Sequence, residues 1–319
     1  MAEKTIKAGV IGVGSMGQNH VRVYDEIEQV DLVGVADADE QRAMEIATEY
    51  DTRALPTEEL LNVVDVVSIT VPTPYHHDTA MECIQSGIHV LIEKPIAATE
   101  KEGRELIQAA EANDVTIQVG HIERFNPAIT ALDKIVDRED IVAIRAERLG
   151  PPPKREIHDN AVIDLMIHDV DILLSLAGEE PTVVQGVGTH DNKYASATLQ
   201  FESDITGTLI ASRLTQRKVR KLKITTEENF IEVDYLDQTI DIHRRSAPEF
   251  VKSNSGVQYR HESVIERPQI ANHEPLKAEI ESFIESVRNG TEPRVSASDG
   301  LQAFTLVNEI DKKAQGAHK

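Results

Sequence analysis

The chain has 319 residues, the length of two ordinary domains and enough to bury a large core. Its 33 Lys and Arg residues stand against 55 Asp and Glu, and the formal net charge of −22 argues against nucleic acid and anionic lipid as partners. Hydrophobic residues make up 40% of the chain, yet no stretch approaches the ~20 apolar residues that a membrane span needs.

The N-terminal segment MAEKTIKAGVIGVG carries charges and runs directly into a first predicted strand, without the apolar core and cleavage site of a signal peptide. We therefore expect a cytoplasmic protein. The single cysteine, Cys83, can form neither an internal disulfide nor a thiolate zinc cluster. It lies in an apolar helical stretch, so we expect it in the core, and we expect no metal.

Five short, β-branched runs alternate with helical patterns in the first part of the chain. They are IKAGVIGVG, DLVGVAD, DVVSITV, HVLIE and VTIQVG. Each is apolar on consecutive positions, as is typical of parallel strands that are covered on both faces. The pattern predicts an α/β Rossmann domain with a doubly wound parallel sheet over residues 1–121.

The pattern changes after residue 121. An apolar helix is predicted around 160–176, and six alternating strands follow at 182–191, 194–202, 205–216, 219–226, 229–236 and 239–245. Consecutive strands with short turns predict an α+β domain over 122–319 with an open-faced, mainly antiparallel sheet. The segment 246–263 is expected as a ragged hairpin or loop at the sheet edge.

Two helices are predicted to close the chain. One starts at Pro275 and stops at Asn289-Gly290, and the other starts near Asp299. The last helix is free to pack back on the first domain.

A glycine-rich loop follows the first predicted strand and opens a helix, with the residues Gly12, Val13, Gly14, Ser15, Met16 and Gly17. Such glycines permit a tight turn and close approach of the backbone to a pyrophosphate, which the helix N-terminus also attracts. Asp37 ends the second strand and can accept hydrogen bonds from both ribose hydroxyls. We therefore predict NAD rather than NADP. Arg42 lies nearby and weakens the exclusion of NADP. For the glycine-rich loop, the alternative is a purely structural turn.

The segment HVLIEKP places Glu93, Lys94 and Pro95 at the carboxyl end of a buried strand, where open α/β sheets bind their ligands. A lysine directly after four apolar positions suits acid–base chemistry. A solvated loop lysine is the alternative.

The helical segment VIDLMIHDVDILL is apolar nearly all round, so its polar residues need an explanation. At about 100° per residue, Asp164, His168 and Asp171 share one stripe, whereas Asp169 points away. A carboxylate and an imidazole four residues apart can hydrogen-bond and act as a general-base pair. The alternatives are a core histidine beside an ion-paired aspartate, and a metal site that adds His158 or His121.

Basic residues are concentrated in the segment RLTQRKVRKLK of the second domain, namely Arg213, Arg217, Lys218, Arg220, Lys221 and Lys223. Arg124 and the pair Lys154-Arg155 flank the expected crevice. Arginine suits bidentate phosphate contacts, so an anionic sugar nucleotide would fit these residues. A solvated sheet edge is the alternative.

The segment VPTPYHHDTAMECIQSGIHVLIEKPIA resembles the hallmark of the glucose-fructose oxidoreductase, inositol dehydrogenase and MocA (Gfo/Idh/MocA) family, and the resemblance covers nearly the whole chain. It implies an NAD-dependent dehydrogenase acting on CH–OH groups, with a second domain that binds substrate and forms a homodimer or homotetramer. It also implies cofactor contacts from the glycine-rich loop and from Asp37, Pro72, His76, Glu93 and Lys94.

The same resemblance implies catalytic roles for Lys94, Asp164 and His168. Either His168 is the base and Lys94 polarises the reacting oxygen, or Lys94 takes the proton and His168 relays it. Asn160-Ala161 replaces the glycine-rich run of many relatives, which puts the pocket floor in doubt. Substrate contacts are expected from Lys94, Arg124, Asn126, Arg155, Asp164 and His168.

Three further segments resemble the branch of the family that oxidises C3 of UDP-N-acetylglucosamine: GHIERFNPAI, DLMIHDVDIL and VRKLKITTEENFIEVDYLDQTIDIH. A nucleotide sugar is therefore the expected small-molecule substrate. A myo-inositol or simple sugar dehydrogenase is the enzymatic alternative. The alternative from another class is an NAD-binding regulator, which would have no need of Lys94, Asp164 and His168 together.

Overall fold

The computed structural model describes residues 5–152, 159–244, 249–253, 256–260 and 264–316. The strands are β1 Ile6–Ile11, β2 Val30–Ala36, β3 Val66–Ile69, β4 His89–Glu93, β5 Ile117–Gly120, β6 Ile141–Leu149, β7 Val183–Thr189, β8 Tyr194–Gln200, β9 Thr206–Ser212, β10 Val219–Thr226, β11 Asn229–Asp234, β12 Thr239–Arg244, β13 Glu249–Ser253, β14 Gly256–Arg260 and β15 Val264–Glu266.

The α-helices are α1 Ser15–Glu26, α2 Glu40–Glu49, α3 Thr57–Leu61, α4 His76–Gln85, α5 Glu100–Asn113, α6 Pro127–Leu132, α7 Ile167–Ala177, α8 Pro275–Asn289 and α9 Ala297–Gly316. Short 3₁₀ turns occur at Thr73–Tyr75, Ile122–Phe125 and Arg138–Asp140, and a π-helical turn occurs at Val162–Met166. Within the described ranges, no helix has both the length and the apolar composition needed to cross a bilayer.

The chain divides into two compact units. The first unit comprises Met1–Phe125 with His273–Thr305, and the second comprises Asn126–Asn272 with Leu306–Lys319. The division into independent domains at 1–121 and 122–319 stays a prediction.

The first unit is built on a five-stranded parallel sheet in the order β2-β1-β3-β4-β5. The order reverses between β1 and β3, and this reversal is where doubly wound sheets bind ligands. Cys83 is buried in the core of this unit, where burial raises the pKa of its thiol to about 12. The predicted Rossmann fold is confirmed.

The helix α8 belongs to this same unit. Its residues Ile280 and Phe283 are fully buried in one core cluster with Val10 and Leu91 of the sheet. Nε2 of the Gln118 side chain, on β5, donates to the carbonyl oxygen of Glu279 at 3.0 Å. A helix far along the chain thus completes the core that the first five strands begin.

The second unit contains an eight-stranded sheet in the order β15-β12-β11-β10-β6-β9-β8-β7. All neighbours are antiparallel except β6 and β9, which are parallel. The predicted mainly antiparallel sheet is confirmed, but the sequence analysis did not identify β6 at its centre. β15 was also missed: it pairs with β12 at the edge of the sheet.

The segment predicted as a ragged hairpin contains the two-stranded sheet of β13 and β14. Residues 246–248, 254–255 and 261–263 of that segment lie outside the described ranges.

One face of the eight-stranded sheet is buried and the other is exposed. Ile144, Leu222 and Ile224 are buried on the inner face. On β10, Lys221 and Lys223 flank Leu222 and point to the outer face, as alternation in a strand requires. Arg213 of the same basic segment is buried instead, so the structure places these basic residues in two environments.

Candidate active site

The loop between β1 and α1 is shaped by two glycines that the fold itself requires. Gly12 has φ +91°, and a Cβ there would lie 2.8 Å from the amide nitrogen of Val71. A Cβ on Gly17 would lie 1.9 Å from the carbonyl oxygen of Gly12. The hydroxyl of Thr70 also donates to that carbonyl. The turn is therefore held against the end of β3.

Gly14 differs, because a Cβ there would meet nothing within 4 Å. Its φ of −64° and ψ of −164° also suit other residues, so internal packing does not explain this glycine. Gly14 is the N-cap of α1 and has no side chain with which to cap that helix, whereas Thr99 and Glu102 form a capping box on α5. Open space in front of uncapped amides fits a pyrophosphate.

Asp37 orders this loop from the end of β2. Its Oδ2 accepts from the amide of Val13 at 2.7 Å, and its Oδ1 accepts from the amide of Asp39 at 2.9 Å. Arg42 on α2 donates through Nε to the carbonyl oxygen of Val13 at 2.9 Å. The structure thus brings Asp37 and the glycine-rich loop together, as their spacing predicts. Ser15 and Met16 are exposed at the start of α1.

His76 joins two loops at the carboxyl ends of β3 and β4. Its Nε2 lies 2.9 Å from the carbonyl oxygen of Val71, and its Nδ1 lies 2.8 Å from that of Pro95. The ring is buried, and this burial lowers the pKa of His76 against the effect of the two carbonyls. Pro72 precedes the 3₁₀ turn Thr73–Tyr75, which leads into α4 and its first residue, His76.

Glu93 and Lys94 follow β4 directly. Burial would raise the pKa of Glu93, but the hydrogen bond from His20 and the nearby charges outweigh it, so the pKa lies below its ordinary value. The amide of Lys94 donates to Oε2 of Glu93 at 3.1 Å. Lys94 is half-buried, and its positive charge also contributes to lowering the pKa of Glu93.

In the second unit, the predicted helix begins as the π-helical turn Val162–Met166 and continues as α7. Asp164 lies in the π turn and His168 is the second residue of α7; both are half-buried. Asp164 forms an ion pair with Nη2 of Arg213. In the sequence Arg213 is part of the basic segment, and nothing in its spacing from Asp164 predicts this ion pair.

Arg213 is itself fixed by several contacts. Its side chain is 9% exposed and also donates through Nη1 to the carbonyl oxygen of Asp159. Its amide donates to the carbonyl oxygen of Lys193 at 2.8 Å, beyond the end of β9. A guanidinium held in this way orients the carboxylate of Asp164.

Asn160, which replaces the expected glycine-rich run, caps the turn that carries Asp164. Its Oδ1 accepts from the amides of Val162 and Ile163 at 2.9 and 3.1 Å. Its Nδ2 donates to Oδ1 of Asp311 on α9 at 2.6 Å, and Nδ2 of Asn192 donates to the same oxygen at 2.7 Å. The departure from the family pattern thus has a structural role.

Asp169 faces away from Asp164, as the helical spacing predicts. It is 2% exposed and accepts two hydrogen bonds from Arg148 of β6, at 2.9 Å from Nε and 2.8 Å from Nη2. The guanidinium carbon of Arg148 lies 5.3 Å from the centre of the Tyr235 ring. This buried pair ties α7 to the inner face of the sheet.

The remaining predicted substrate residues occupy varied places. Arg124 is half-buried in the 3₁₀ turn after β5. Asn126 caps α6 by accepting from the amide of Ala128 at 3.1 Å, and it donates to the carbonyl oxygen of Tyr235 at 3.1 Å. Arg155 lies outside the described residues.

Two lysines of the basic segment have acidic neighbours on β11. Lys223 lies 3.2 Å from Oε1 of Glu232, and Lys221 lies 3.7 Å from Oδ2 of Asp234. These contacts favour the sheet-surface interpretation for both. Among the residues that the structure describes, no group of three His, Cys, Asp or Glu side chains is arranged to hold a metal ion.

Comparison with known proteins agrees with the loop geometry. The model of the Gfo/Idh/MocA oxidoreductase family, NAD-binding Rossmann fold, matches residues 6–121, and that of the Gfo/Idh/MocA C-terminal domain matches residues 140–232. The protein is thus an oxidoreductase with an NAD-binding Rossmann fold. It belongs to the Gfo/Idh/MocA family of dehydrogenases.

Individual relatives cover most of the chain. UDP-N-acetylglucosamine 3-dehydrogenase of Acidithiobacillus ferrooxidans is 36% identical over 287 residues, or 88% of each chain. A solved structure of that enzyme matches with a TM-score of 0.90 and 31% identity, covering 98% of this chain and 99% of the other. Inositol 2-dehydrogenase of Rhizobium meliloti is 26% identical over 322 residues, or 95% of each chain.

Proposed function

We propose that the protein is an NAD-dependent dehydrogenase that oxidises the C3 hydroxyl of UDP-N-acetylglucosamine to the 3-keto sugar. The main support is the 36% identity to an enzyme named for that reaction, across 88% of both chains. The match extends over both units, so it includes Lys94 as well as Asp164 and His168.

The choice of NAD over NADP is supported by Asp37. Its carboxylate lies at the end of β2, where it would accept hydrogen bonds from ribose hydroxyls and repel a 2′-phosphate. Arg42 weakens this exclusion less than the sequence alone suggests, because its Nε donates to the carbonyl oxygen of Val13. When bound, NAD supplies the hydride acceptor.

Oxidation of a secondary alcohol requires the hydroxyl proton to leave as the hydride departs, so a base must reach that oxygen. We assign this role to His168, with Asp164 orienting the imidazole and Lys94 polarising the same oxygen. Arg213 supports the assignment because its contact with the Asp164 carboxylate fixes the orientation of that side chain. The roles of Arg124, Asn126 and Arg155 toward the substrate are part of the same proposal.

The open face of the eight-stranded sheet is our proposed contact in a homodimer or homotetramer. Exposed apolar side chains occur on this sheet at Val187, Tyr194, Phe230 and Ile265. A second copy of the chain packed on this face would remove these apolar side chains from water.

The decisive experiment measures NADH formation with UDP-N-acetylglucosamine, beside free N-acetylglucosamine, myo-inositol and glucose. We expect turnover on the nucleotide sugar alone, with a product lighter by two hydrogen atoms. Lys94→Ala and His168→Ala should each lower kcat by about 10² to 10⁴ with NAD affinity nearly intact. Wild-type turnover in both variants would refute the site assignment.

A myo-inositol or simple sugar dehydrogenase is the second candidate. The observation that favours it is the pairing of Lys221 and Lys223 with carboxylates, which leaves fewer of the basic residues for a diphosphate. Protection of the fold by UDP alone distinguishes the two, since a neutral polyol enzyme has no site for it. Absence of NADH formation with every sugar tested would favour the third alternative, an NAD-binding regulatory protein without catalytic activity.

A further inference from the structure

A series of buried polar side chains leads to Glu93, the last residue of β4. His20 and Tyr24 are one turn apart on α1, and Ser68 is on β3; all three are fully buried. Burying polar groups costs free energy, and an apolar core would avoid that cost. Such departures from the apolar pattern are expected at functional sites.

The contacts run in sequence toward Glu93. The hydroxyl oxygens of Tyr24 and Ser68 lie 2.9 Å apart, and Ser68 Oγ lies 2.9 Å from Nδ1 of His20. His20 Nε2 lies 3.3 Å from Oε1 of Glu93. An ionised carboxylate only accepts, so Nε2 carries the proton and donates to it.

The same logic fixes the other donors. With the proton on Nε2, Nδ1 accepts from the hydroxyl of Ser68, and the oxygen of Ser68 accepts from Tyr24. Burial raises the pKa of Tyr24, which keeps its hydroxyl protonated as the first donor. Every donor in the series therefore has one acceptor, and the series ends on Glu93.

The other carboxylate oxygen of Glu93, Oε2, is directed toward Lys94. Oε2 accepts from the amide of Lys94 at 3.1 Å, so the carboxylate folds back over the peptide that follows it. Gly120 on β5 makes room for this, since a Cβ there would lie 3.2 Å from the carboxyl carbon of Glu93. The carboxylate is therefore held by hydrogen bonds at both oxygens, with Gly120 leaving room beside it.

We propose that His20 is a positioning residue for Lys94, acting through Glu93: it fixes the carboxylate that holds the Lys94 peptide and faces the lysine's charge. This inference rests on the proposed catalytic role of Lys94. It assigns to His20 no contact with substrate or cofactor. An apolar residue in place of His20 would bury the same area but would remove the hydrogen bond to Oε1 of Glu93.

The test compares His20→Phe with His20→Gln in the full-length enzyme, using NAD and UDP-N-acetylglucosamine. Phe removes the donor to Glu93, whereas the Gln side-chain amide keeps one near the position of Nε2. We expect His20→Phe to lower kcat by about 10- to 100-fold with KM little changed, and His20→Gln to restore most of it. His89→Gln, at the other end of β4, is the control and should leave kcat unchanged.

The pH profile separates positioning from a general loss of structure. Without His20, burial dominates the pKa of Glu93, so Glu93 takes up its proton at a higher pH and the acidic limb of kcat/KM moves upward in His20→Phe. His20→Phe should add nothing to the loss in a Glu93→Gln background. If His20→Phe does not fold, Ser68→Ala tests the next link and should shift the same limb less.

Three outcomes overturn the inference. A wild-type kcat and pH profile in His20→Phe, together with an inactive Lys94→Ala variant, would remove the positioning role and leave the proposed function intact. Additive losses from His20→Phe and Glu93→Gln would show that His20 does not act through Glu93. Wild-type turnover in Lys94→Ala would instead remove the role of Lys94 itself.

Discussion

In the first unit, the carboxylate of Glu93 accepts hydrogen bonds from a histidine ring and a backbone amide, whereas in the second unit that of Asp164 is paired with a guanidinium. Glu93 precedes Lys94 directly, and Asp164 is itself one of the proposed catalytic residues. Guanidinium pairs are rigid and fully charged, so loss of one partner leaves an uncompensated charge. Glu93 would keep its amide donor if His20 were lost. We therefore expect the loss of one partner of a charge pair to cost more stability in the second unit.

The largest effect should come from Arg148→Met. It leaves Asp169 buried without its bidentate partner, and we expect unfolding free energy to fall by about 3–5 kcal/mol. Urea denaturation measures the loss. The double variant Arg148→Met/Asp169→Leu should recover most of it, because no charge is then left in the core. A loss below about 1 kcal/mol in Arg148→Met would break the contrast between the units.

Arg213→Gln should act on catalysis rather than on the fold. Asp164 is only half-buried, so water replaces part of the lost contact, but its orientation is no longer fixed. We expect kcat to fall by about 10- to 100-fold, which corresponds to about 1.4 to 2.7 kcal/mol in the barrier. Steady-state kinetics measures the effect, and Arg213→Lys should retain part of the activity. A kcat equal to that of the wild type would contradict the role of this pair.

The sequence was most informative where local rules suffice. Consecutive apolar runs identify all five parallel strands, and the spacing of Gly12, Gly17 and Asp37 identifies the loop that they form. The strand β6 escaped prediction because its parallel partner β9 comes much later in the chain. Outward charges at Arg145 and Glu147 also interrupt its apolar pattern.

The missed residues of the candidate site share one cause. His20 and Arg213 act through partners distant in the sequence, Glu93 and Asp164, and a lone polar residue in a helix or strand does not reveal its partner. The π turn was equally hidden, because Asp164 within it pairs with Arg213, which is distant in the sequence. Such turns inside α-helices are frequent at functional sites.

Gly14 and Gly17 test how far backbone shape alone explains the first unit. Gly17→Ala places a Cβ against the Gly12 carbonyl and should cost about 1–3 kcal/mol of stability. Gly14→Ala meets open space and should leave the free energy of unfolding within about 0.5 kcal/mol of the wild type. It should nevertheless weaken NAD binding about tenfold, as measured by calorimetry. Unchanged NAD affinity in Gly14→Ala would show that the pyrophosphate does not bind against Gly14.

The smallest expected effect is the loss of stability at low pH. Two groups of the first unit, His76 and Glu93, should contribute to it separately. The pKa of His76 is lowered, so the unfolded state binds more protons and stability should decline as the pH falls below about 6.5. The pKa of Glu93 is also lowered, so its contribution is present above the ordinary carboxyl range and is lost as the pH falls through its folded value.

Each group can change the unfolding free energy by at most about 1.4 kcal/mol per pH unit. His76→Gln should lessen the decline that begins near pH 6.5 and leave the acidic one, whereas Glu93→Gln should do the reverse, so each variant is the control for the other. Burial also lowers the pKa of His89, so part of the decline near pH 6.5 remains in His76→Gln. Urea titrations across this pH range measure both slopes. Identical slopes in wild type and His76→Gln would mean that the pKa of His76 is the same in the folded and unfolded states, and a steeper decline in the variant would mean that the folded ring is bound as the cation by its two carbonyls.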